Sequence, residues 1–354
     1  MLNFAVGPVM MDEQTLTLAS QQIPYFRTEE FSAIVKSCDI NLKLLFGASE
    51  KSRVVLMTGS GTASMEAAIM NVLSGDDRAI VVNGGSFGDR FCKICAVHGI
   101  EYTAIECEAG KTLTAEQLSA IDGSNYTAFV VNLCETSTGV LYDIDLISRF
   151  CKKYNLLLIV DAVSAFLCDK FDMESHGIDV VITGSQKALA LAPGLSVMCF
   201  SEKALARIEN NSVQSLYFNL KSYLADGERG QTPFTPAVGI INQLKEKTDR
   251  LIENGGIDVS IEKANRNALY FRSLIKDLPF DFFADKPSNA VTALAVRDDT
   301  DAYDIFLQLK DYYGIFICPN GGILKNRVFR IGHMGNLTFA DYDKLVGAIA
   351  EILE

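Results

Sequence analysis

A single lysine, Lys187, lies between two apolar segments in the stretch ITGSQKALALAPGLS. Charged side chains seldom occur in such surroundings without a partner, because moving a charge out of water costs free energy. Burial disfavours the ammonium form and lowers the pKa of a lysine, and a neutral amine is the nucleophile that forms an imine with a carbonyl group. The alternative is a surface lysine whose alkyl chain covers apolar neighbours. Lys187 is therefore a candidate nucleophile.

A carboxylate, Asp161, directly follows the apolar run Leu156–Val160. A carboxylate at the end of a buried strand is unfavourable unless it is paired or hydrogen-bonded. One interpretation is a helix N-cap, which is a common role for aspartate. The other is a counter-charge for a protonated ring nitrogen of a bound ligand.

A phosphate group could bind at Thr58–Thr62, where TGSGT joins the apolar run Arg53–Met57 to a segment with helical periodicity, Ala63–Leu73. Small residues leave the backbone N–H groups accessible, and a helix N-terminus favours an anion. The segment matches neither the Walker loop nor the G-x-G-x-x-G pattern. An ordinary turn with a serine cap is the alternative.

Two further loops follow apolar runs in the same way. Gly84–Arg90, with the sequence GGSFGDR, carries the flat ring of Phe87, and Glu135–Gly139 has the sequence ETSTG. Taken alone, each is most simply explained as a glycine-containing or capped turn.

The elements that must position these loops are predicted strands alternating with helical segments, which indicates a mainly parallel sheet with helices on both faces. We predict seven strands: Arg53–Met57, Ala79–Asn83, Glu101–Ile105, Thr127–Leu133, Leu156–Val160, Asp179–Thr183 and Ser196–Phe200. The last strand follows too closely for a crossover helix, so we expect it to run antiparallel. Ligands bind beyond the carboxyl ends of parallel strands, which is where the loops lie.

One ligand needs all of these features, namely pyridoxal phosphate. Its phosphate needs backbone donors, its ring a stacking partner, its ring nitrogen an anion, and its aldehyde an amine. The sequence therefore predicts a pyridoxal phosphate site at this edge of the sheet.

The chain has a second, smaller α+β unit after about Gly255, which begins with the long amphipathic segment Asp258–Leu278. We predict an N-terminal segment at residues 1–14 near the active site, a large cofactor-binding domain at 15–255 and a small C-terminal domain at 256–354. Before the small domain, Ser222–Pro236 has loop composition and could reach outward.

Composition narrows the class of protein. A net charge of −12 argues against nucleic-acid binding. We expect no membrane association and a cytoplasmic protein, because there is neither a long apolar run nor a signal peptide. The nine cysteines are odd in number and mostly lie in apolar runs, as expected of reduced thiols. Cys92 and Cys95 form a lone C-x-x-C, so we predict no metal site.

The order and spacing of these segments resemble the class V aminotransferases of fold type I, in particular alanine–glyoxylate/serine–pyruvate aminotransferases and 2-aminoethylphosphonate–pyruvate transaminase. The matching segments are GSGTASMEAA (Gly59–Ala68), NGGSFGDR (Asn83–Arg90), ETSTG (Glu135–Gly139), DAVSA (Asp161–Ala165), GIDVVITGSQKALALAPGLS (Gly177–Ser196), TPFTPAV (Thr232–Val238) and FRIGHMG (Phe329–Gly335). They cover most of the chain in family order. The resemblance implies the α/β fold of pyridoxal phosphate-dependent transferases.

The resemblance also implies roles for individual residues. Lys187 would form the internal aldimine, Asp161 would pair with the pyridinium nitrogen and Phe87 would stack on the ring. Arg330 would bind the substrate carboxylate through its bidentate guanidinium, and Gly7 would border the substrate pocket. The other implied cofactor-binding residues are Ser60, Gly61, Thr62, Thr136, Val163, Ser164, Gln186 and, reaching the phosphate of the partner subunit in a homodimer with shared active sites, Thr235.

The implied reaction is a ping-pong, Schiff-base transamination between a small amino acid, of the alanine, serine or 2-aminoethylphosphonate type, and a small 2-oxo acid such as pyruvate or glyoxylate. One alternative is a pyridoxal phosphate-dependent cysteine desulfurase or related lyase that uses Cys318. However, Cys318 lies in the apolar segment IFICPNGG, whereas a catalytic thiol needs an exposed, electropositive loop. A non-catalytic module that binds the cofactor is the other alternative.

Overall fold

The computed structural model describes residues 1–297 and 300–354. The helices are α1 (Glu13–Ala19), α2 (Glu29–Phe46), α3 (Gly61–Val72), α4 (Ser86–Val97), α5 (Ala115–Ser119), α6 (Ile144–Tyr154), α7 (Met173–His176), α8 (Glu202–Asn210), α9 (Leu220–Gly227), α10 (Val238–Glu253), α11 (Gly256–Ile275), α12 (Ala302–Tyr313) and α13 (Phe339–Leu353). The strands are β1 (Leu2–Asn3), β2 (Arg53–Thr58), β3 (Arg78–Asn83), β4 (Glu101–Glu106), β5 (Ala128–Asn132), β6 (Cys134–Glu135), β7 (Val140–Leu141), β8 (Leu157–Asp161), β9 (Val180–Gly184), β10 (Leu195–Phe200), β11 (Phe280–Phe282), β12 (Val291–Val296), β13 (Ile315–Phe316), β14 (Cys318–Pro319) and β15 (Val328–Gly332).

The large sheet has seven strands in the order β2-β10-β9-β8-β5-β3-β4. Strands β9, β8, β5, β3 and β4 pair in parallel, whereas β10 is antiparallel to both β9 and β2. The mainly parallel sheet and the antiparallel direction of Ser196–Phe200 are thus confirmed. All strands except β10 end at the same edge, so the loops that follow them meet there.

Helices cover both faces of this sheet. Side chains alternate along a strand, so Leu56 packs into a core with α2, α6 and α10, while its neighbours Val55 and Met57 pack on the other face with α3 and α4. Every residue of β5, β8, β9 and β10 is buried. Burial on both faces explains why these strands are continuous apolar runs in the sequence.

The C-terminal part of the chain forms a second sheet, which is antiparallel and has the order β11-β12-β15-β14. It shares a separate hydrophobic core with α11, α12 and α13. The N-terminus joins this unit, because β1 pairs with β13 and Phe4 is buried in the same core. The domain limits near residues 14 and 255 stay a prediction.

The loop expected over Ser222–Pro236 is wrong in its first part, which belongs to α9. Leu220 and Tyr223 are buried against the core on the α3 side of the sheet. Local composition favours a loop here, but burying this apolar face stabilises the helix. The remainder, which includes Thr235, is irregular.

Over the described ranges 1–297 and 300–354, no helix combines the length and apolar character needed to cross a membrane. In the same ranges, no cluster of three or more His, Cys, Asp or Glu side chains is arranged to hold a metal ion. The cysteines are free thiols, and all except Cys318 are buried.

Candidate active site

A cavity of about 220 Å³ lies at the carboxyl edge of the large sheet. Most of the site residues predicted from the sequence line it: Gly7, Ser60, Gly61, Thr62, Phe87, Thr136, Asp161, Val163, Ser164, Gln186 and Lys187. The lining also includes Met65, Arg90 and Cys134, which the sequence analysis did not assign to the site. The two remaining predicted residues, Thr235 and Arg330, lie outside this lining.

Lys187 follows β9 and is buried, with 8% of its surface exposed. Its Nζ donates a hydrogen bond of 2.5 Å to the carbonyl oxygen of Val6. Burial lowers the pKa of this amine, and the guanidinium of Arg330 lowers it further, while Asp161 has the opposite effect. The lysine is therefore not a surface side chain, and its surroundings favour the neutral, nucleophilic form.

Gly7 allows the N-terminal segment to pass close to this lysine. Its φ is +132°, and a Cβ at this position would lie 2.8 Å from Cδ of Lys187. Both the backbone conformation and the contact require glycine. The N-terminal segment thus forms one wall of the cavity and holds the Lys187 amine through Val6.

Asp161 is the last residue of β8 and is 5% exposed. Its Oδ1 accepts a 2.8 Å hydrogen bond from the backbone N–H of Val163. Burial raises the pKa of this carboxyl to about 6, although the Val163 hydrogen bond and Lys187 act in the opposite direction. The segment after β8 is a series of turns rather than a helix, so the alternative of a helix N-cap does not apply. A cationic ring nitrogen would restore the carboxylate form.

The TGSGT segment forms the N-terminus of α3, with Ser60 at the N-cap position. The Ser60 side chain makes no capping hydrogen bond, so the alternative that this serine serves as a helix cap is wrong. The first N–H groups of a helix have no acceptor within it, and the helix dipole favours an anion there. This end of the cavity is therefore suited to a phosphate.

The hydroxyl groups of Thr136 and Ser164 lie 2.7 Å apart on the wall of the cavity. Behind them, the buried carboxylate of Glu135 accepts hydrogen bonds of 3.2 Å from the backbone N–H groups of Phe87 and Gly88 at the start of α4. Glu135 thus fixes the loop that presents Phe87. The sequence analysis singled out the ETSTG segment for its hydroxyls, and this role of its carboxylate was missed.

Arg330 lies on β15 of the small sheet and reaches toward the same site. Its Nη1 donates to the carbonyl oxygen of Thr136 at 3.0 Å, and its Nη2 donates to that of Pro319 at 2.7 Å. In the described part of the chain its buried Nε has no hydrogen-bond partner. A guanidinium has five N–H donors, so it retains donors for a carboxylate. Thr136, which accepts the hydrogen bond from Nη1, lines the same cavity as Lys187.

Comparison with known proteins decides the family, since residues 20–322 match the aminotransferase class-V family. The chain belongs to the class V aminotransferases. It is 31% identical to the small subunit of soluble hydrogenase from Synechococcus sp., over 98% of this chain and 91% of that protein. It is 29% identical to L-aspartate–glyoxylate aminotransferase of Paracoccus denitrificans, over 95% of this chain and 87% of that protein.

The fold is shared with alanine–glyoxylate aminotransferase from Nostoc sp., whose crystal structure matches with a TM-score of 0.94 at 22% identity, covering 100% of this chain and 95% of that one. The mainly parallel sheet and the smaller C-terminal unit are thus those of the fold type I transferases, as the resemblance implied.

The cofactor of a class V aminotransferase is pyridoxal phosphate, and the side chains present here fit it. An amine of lowered pKa, a buried carboxylate of raised pKa and an open helix N-terminus line one cavity. These are the groups that an aldehyde, a ring nitrogen and a phosphate require. The family match ends before Arg330, so the role of Arg330 depends on its geometry alone.

Two residues of the cavity lining, Arg90 and Cys134, were not assigned to the site from the sequence. Both follow a predicted strand end by a few residues, so a search of the whole strand–loop–helix segment would have included them. Burial raises the pKa of the Cys134 thiol, which keeps it protonated.

Proposed function

We propose that this class V aminotransferase transfers an amino group between a small amino acid, of the alanine, serine or 2-aminoethylphosphonate type, and a small 2-oxo acid such as pyruvate or glyoxylate. The main support for the proposal is the buried Lys187 amine, which shares a cavity with Asp161, while Arg330 donates a hydrogen bond to the carbonyl oxygen of Thr136 in the cavity wall. The names of relatives support the substrate class, because one is an L-aspartate–glyoxylate and another a 2-aminoethylphosphonate–pyruvate enzyme.

Lys187 acts as the base of the reaction. When bound, pyridoxal phosphate supplies an aldehyde and an electron-accepting ring. The neutral amine of Lys187, favoured by burial, takes the proton from the α-carbon of the amino acid and later returns a proton. The reaction is a ping-pong exchange, in which the first 2-oxo acid leaves before the second arrives.

Asp161 and the residues around it hold the ring in place. The Asp161 carboxylate stabilises positive charge on the ring nitrogen, while Phe87 provides a flat stacking surface. Ser60, Gly61, Thr62 and Gln186 bind the phosphate end, and the hydroxyl pair Thr136–Ser164 lines the ring edge. The hydroxyls of Thr136 and Ser164 bond to each other, whereas the Ser60 hydroxyl makes no capping bond to the helix N-terminus.

Arg330 selects substrates with an anionic group beside the amine. We expect Arg330→Gln to lower kcat/KM for a carboxylate donor about 100-fold, because losing a hydrogen bond between charged groups costs about 1.5–3 kcal/mol and the guanidinium is bidentate. Steady-state kinetics with the active donor measures the effect. The control is Arg327→Gln, which removes an exposed arginine just before the same strand and should leave kcat/KM within about twofold. Equal kinetics for both variants would remove Arg330 from the substrate site.

The active sites are shared between the subunits of a homodimer, with Thr235 contributing to the partner's phosphate site. Thr235 is exposed and lies outside the cavity of its own chain. Large apolar side chains on the loop between α1 and α2 and on α2 itself, including Ile23, Tyr25 and Leu44, are also exposed, as expected of a surface that a second copy covers. Sedimentation velocity of the purified protein measures the oligomer, and a monomer that transaminates would contradict the shared site.

The experiment that tests the function is the visible absorbance spectrum of the purified, cofactor-loaded protein. Alanine, serine, aspartate and 2-aminoethylphosphonate are added separately, without a 2-oxo acid. A donor should bleach the visible band and form one equivalent of its 2-oxo acid, and pyruvate or glyoxylate should restore the band. If the band forms but no amino acid bleaches it, the protein is a non-catalytic module and the proposal fails.

The alternative of a cysteine desulfurase depends on Cys318. This residue lies on β14, opposite Arg330 in the strand register, and not on a mobile loop. Cys318→Ala is therefore expected to retain transaminase activity within about threefold, measured with the best donor. Loss of activity in Cys318→Ala, together with release of sulfide from cysteine by the unmodified protein, would favour the desulfurase.

A further inference from the structure

Arg90 is a cation in the cavity wall that neither the reaction nor the family resemblance uses. It lies on α4 and is partly buried. In the described part of the chain, no carboxylate oxygen lies within 4.0 Å of its guanidinium, since it is absent from the ion pairs there. A partly buried charge without a counter-ion is unfavourable. An anion bound in the cavity would supply a direct counter-ion for Arg90.

The contacts of Arg90 show where that anion would lie. Its Nη1 donates a hydrogen bond of 2.9 Å to Oγ1 of Thr62, in the first turn of α3. A hydroxyl that accepts a hydrogen bond still has its own proton to donate. Arg90 thus turns the Thr62 hydroxyl into a donor toward the cavity and adds a full positive charge beside the partial charge of the helix N-terminus.

The same guanidinium lies 4.7 Å from the centroid of the Phe87 ring. This cation–π contact joins the first turn of α4 to the phosphate end of the cavity. Glu135 holds the other side of this turn through the backbone N–H groups of Phe87 and Gly88. Glu135 therefore holds the backbone of Phe87, while Arg90 contacts both the Phe87 ring and the Thr62 hydroxyl.

The two guanidinium groups of the site come from different parts of the fold. Arg330 comes from the small sheet, whereas Arg90 lies on α4 and donates a hydrogen bond to Thr62 at the N-terminus of α3. Arg90 therefore contacts the end of the cavity that is assigned to the phosphate.

We propose that Arg90 is a cofactor-binding residue. Its positive charge would stabilise the phosphate, its hydrogen bond would orient the Thr62 hydroxyl toward that phosphate, and its contact with Phe87 would hold this side chain in position for the ring. The inference rests on the cofactor orientation of the proposed function, but not on the identity of the amino donor.

The test compares two ligands that differ only in the phosphate. Affinities of the apoprotein for pyridoxal phosphate and for pyridoxal are measured by absorbance titration, without any amino acid. In Arg90→Met we expect pyridoxal phosphate to bind about 10- to 100-fold more weakly. Pyridoxal should bind within about threefold of its affinity for the unmodified protein. Equal losses for both ligands would show that Arg90 only packs against Phe87, and no loss for either would also overturn the proposal.

The matched control is Lys93→Met, which removes a positive charge from an exposed position on the same helix, where Lys93 pairs with Asp89. It should change neither affinity. If Arg90→Met does not fold, Arg90→Gln removes the charge while retaining a donor for Thr62, and the same difference between the two ligands is expected. Phosphorus NMR of the bound cofactor adds a direct measurement, because the second phosphate pKa is near 6 in water. It should be lower in the unmodified protein than in either variant.

The binding measurements are made without an amino acid. Their outcome for Arg90 is therefore independent of whether the protein is a transaminase. A phosphate-specific loss in Arg90→Met together with no bleaching by any donor would retain the role of Arg90 and reject the transaminase. Bleaching by a donor together with equal losses for both ligands would retain the transaminase and reject the role of Arg90.

Discussion

Replacing Lys187 by alanine is expected to lower kcat at least about a thousandfold. A positioned general base contributes about 10²- to 10⁴-fold, and in the proposed reaction the same amine would also be the nucleophile that holds the cofactor. Steady-state assays with the best donor measure the loss. The visible band of the lysine-bound cofactor should disappear from the spectrum, although the phosphate end still binds the cofactor without a covalent bond.

The control for this prediction is Lys170→Ala, which removes an exposed lysine from the same domain and should leave kcat within about twofold. Added methylamine is expected to restore part of the activity of Lys187→Ala, because a small amine can enter the space left by the side chain. A Lys187→Ala variant with an unchanged visible band would contradict the central assignment of this site.

Replacing Asp161 by asparagine is expected to have opposite effects on activity and on the stability of the apoprotein. Burial raises the pKa of this carboxyl from 3.8 to about 6. Because the folded pKa is above the unfolded one, the charged carboxylate destabilises the folded apoprotein once the pH exceeds both values. Asparagine retains the acceptor for the Val163 N–H group but removes the charge.

The difference of about two pKa units corresponds to about 3 kcal/mol at 1.36 kcal/mol per unit. Asp161→Asn should therefore raise the free energy of unfolding of the apoprotein by up to about 3 kcal/mol at pH 8, and by about half of that at pH 5, where the native carboxyl is mostly protonated. Urea unfolding at the two pH values measures this. An exposed replacement, Asp76→Asn, should change the free energy by less than about 0.5 kcal/mol.

The activity of Asp161→Asn should fall at least about 100-fold, because an amide does not stabilise a positive charge on the ring nitrogen as a carboxylate does. Cofactor affinity should fall as well, since the ring nitrogen loses its counter-charge. A variant with lower stability than the unmodified apoprotein would show that Asp161 has a structural role instead. The expected pattern is that of a group retained for function at a cost in stability.

The sequence by itself determined the sheet, the place of the site and most of the residues that line it. Strands buried on both faces are continuous apolar runs, as in Leu157–Asp161 and Val180–Gly184, so their ends can be located in the chain. In a parallel sheet these ends share one edge, whatever the details of packing. Residues at or shortly after a strand end, such as Asp161 and Lys187, are therefore brought together by a rule that depends only on local pattern.

Only the tertiary structure decided which groups contact the site residues, because these contacts join segments that are far apart in the chain. Val6 accepts the hydrogen bond from Lys187, Arg90 bonds to Thr62, and Arg330 reaches Thr136 from another sheet. Distances of this kind depend on how helices and domains pack, and no periodicity encodes them. The helix at Leu220–Gly227 has the same origin, since burial of its apolar face outweighs a composition that favours a loop.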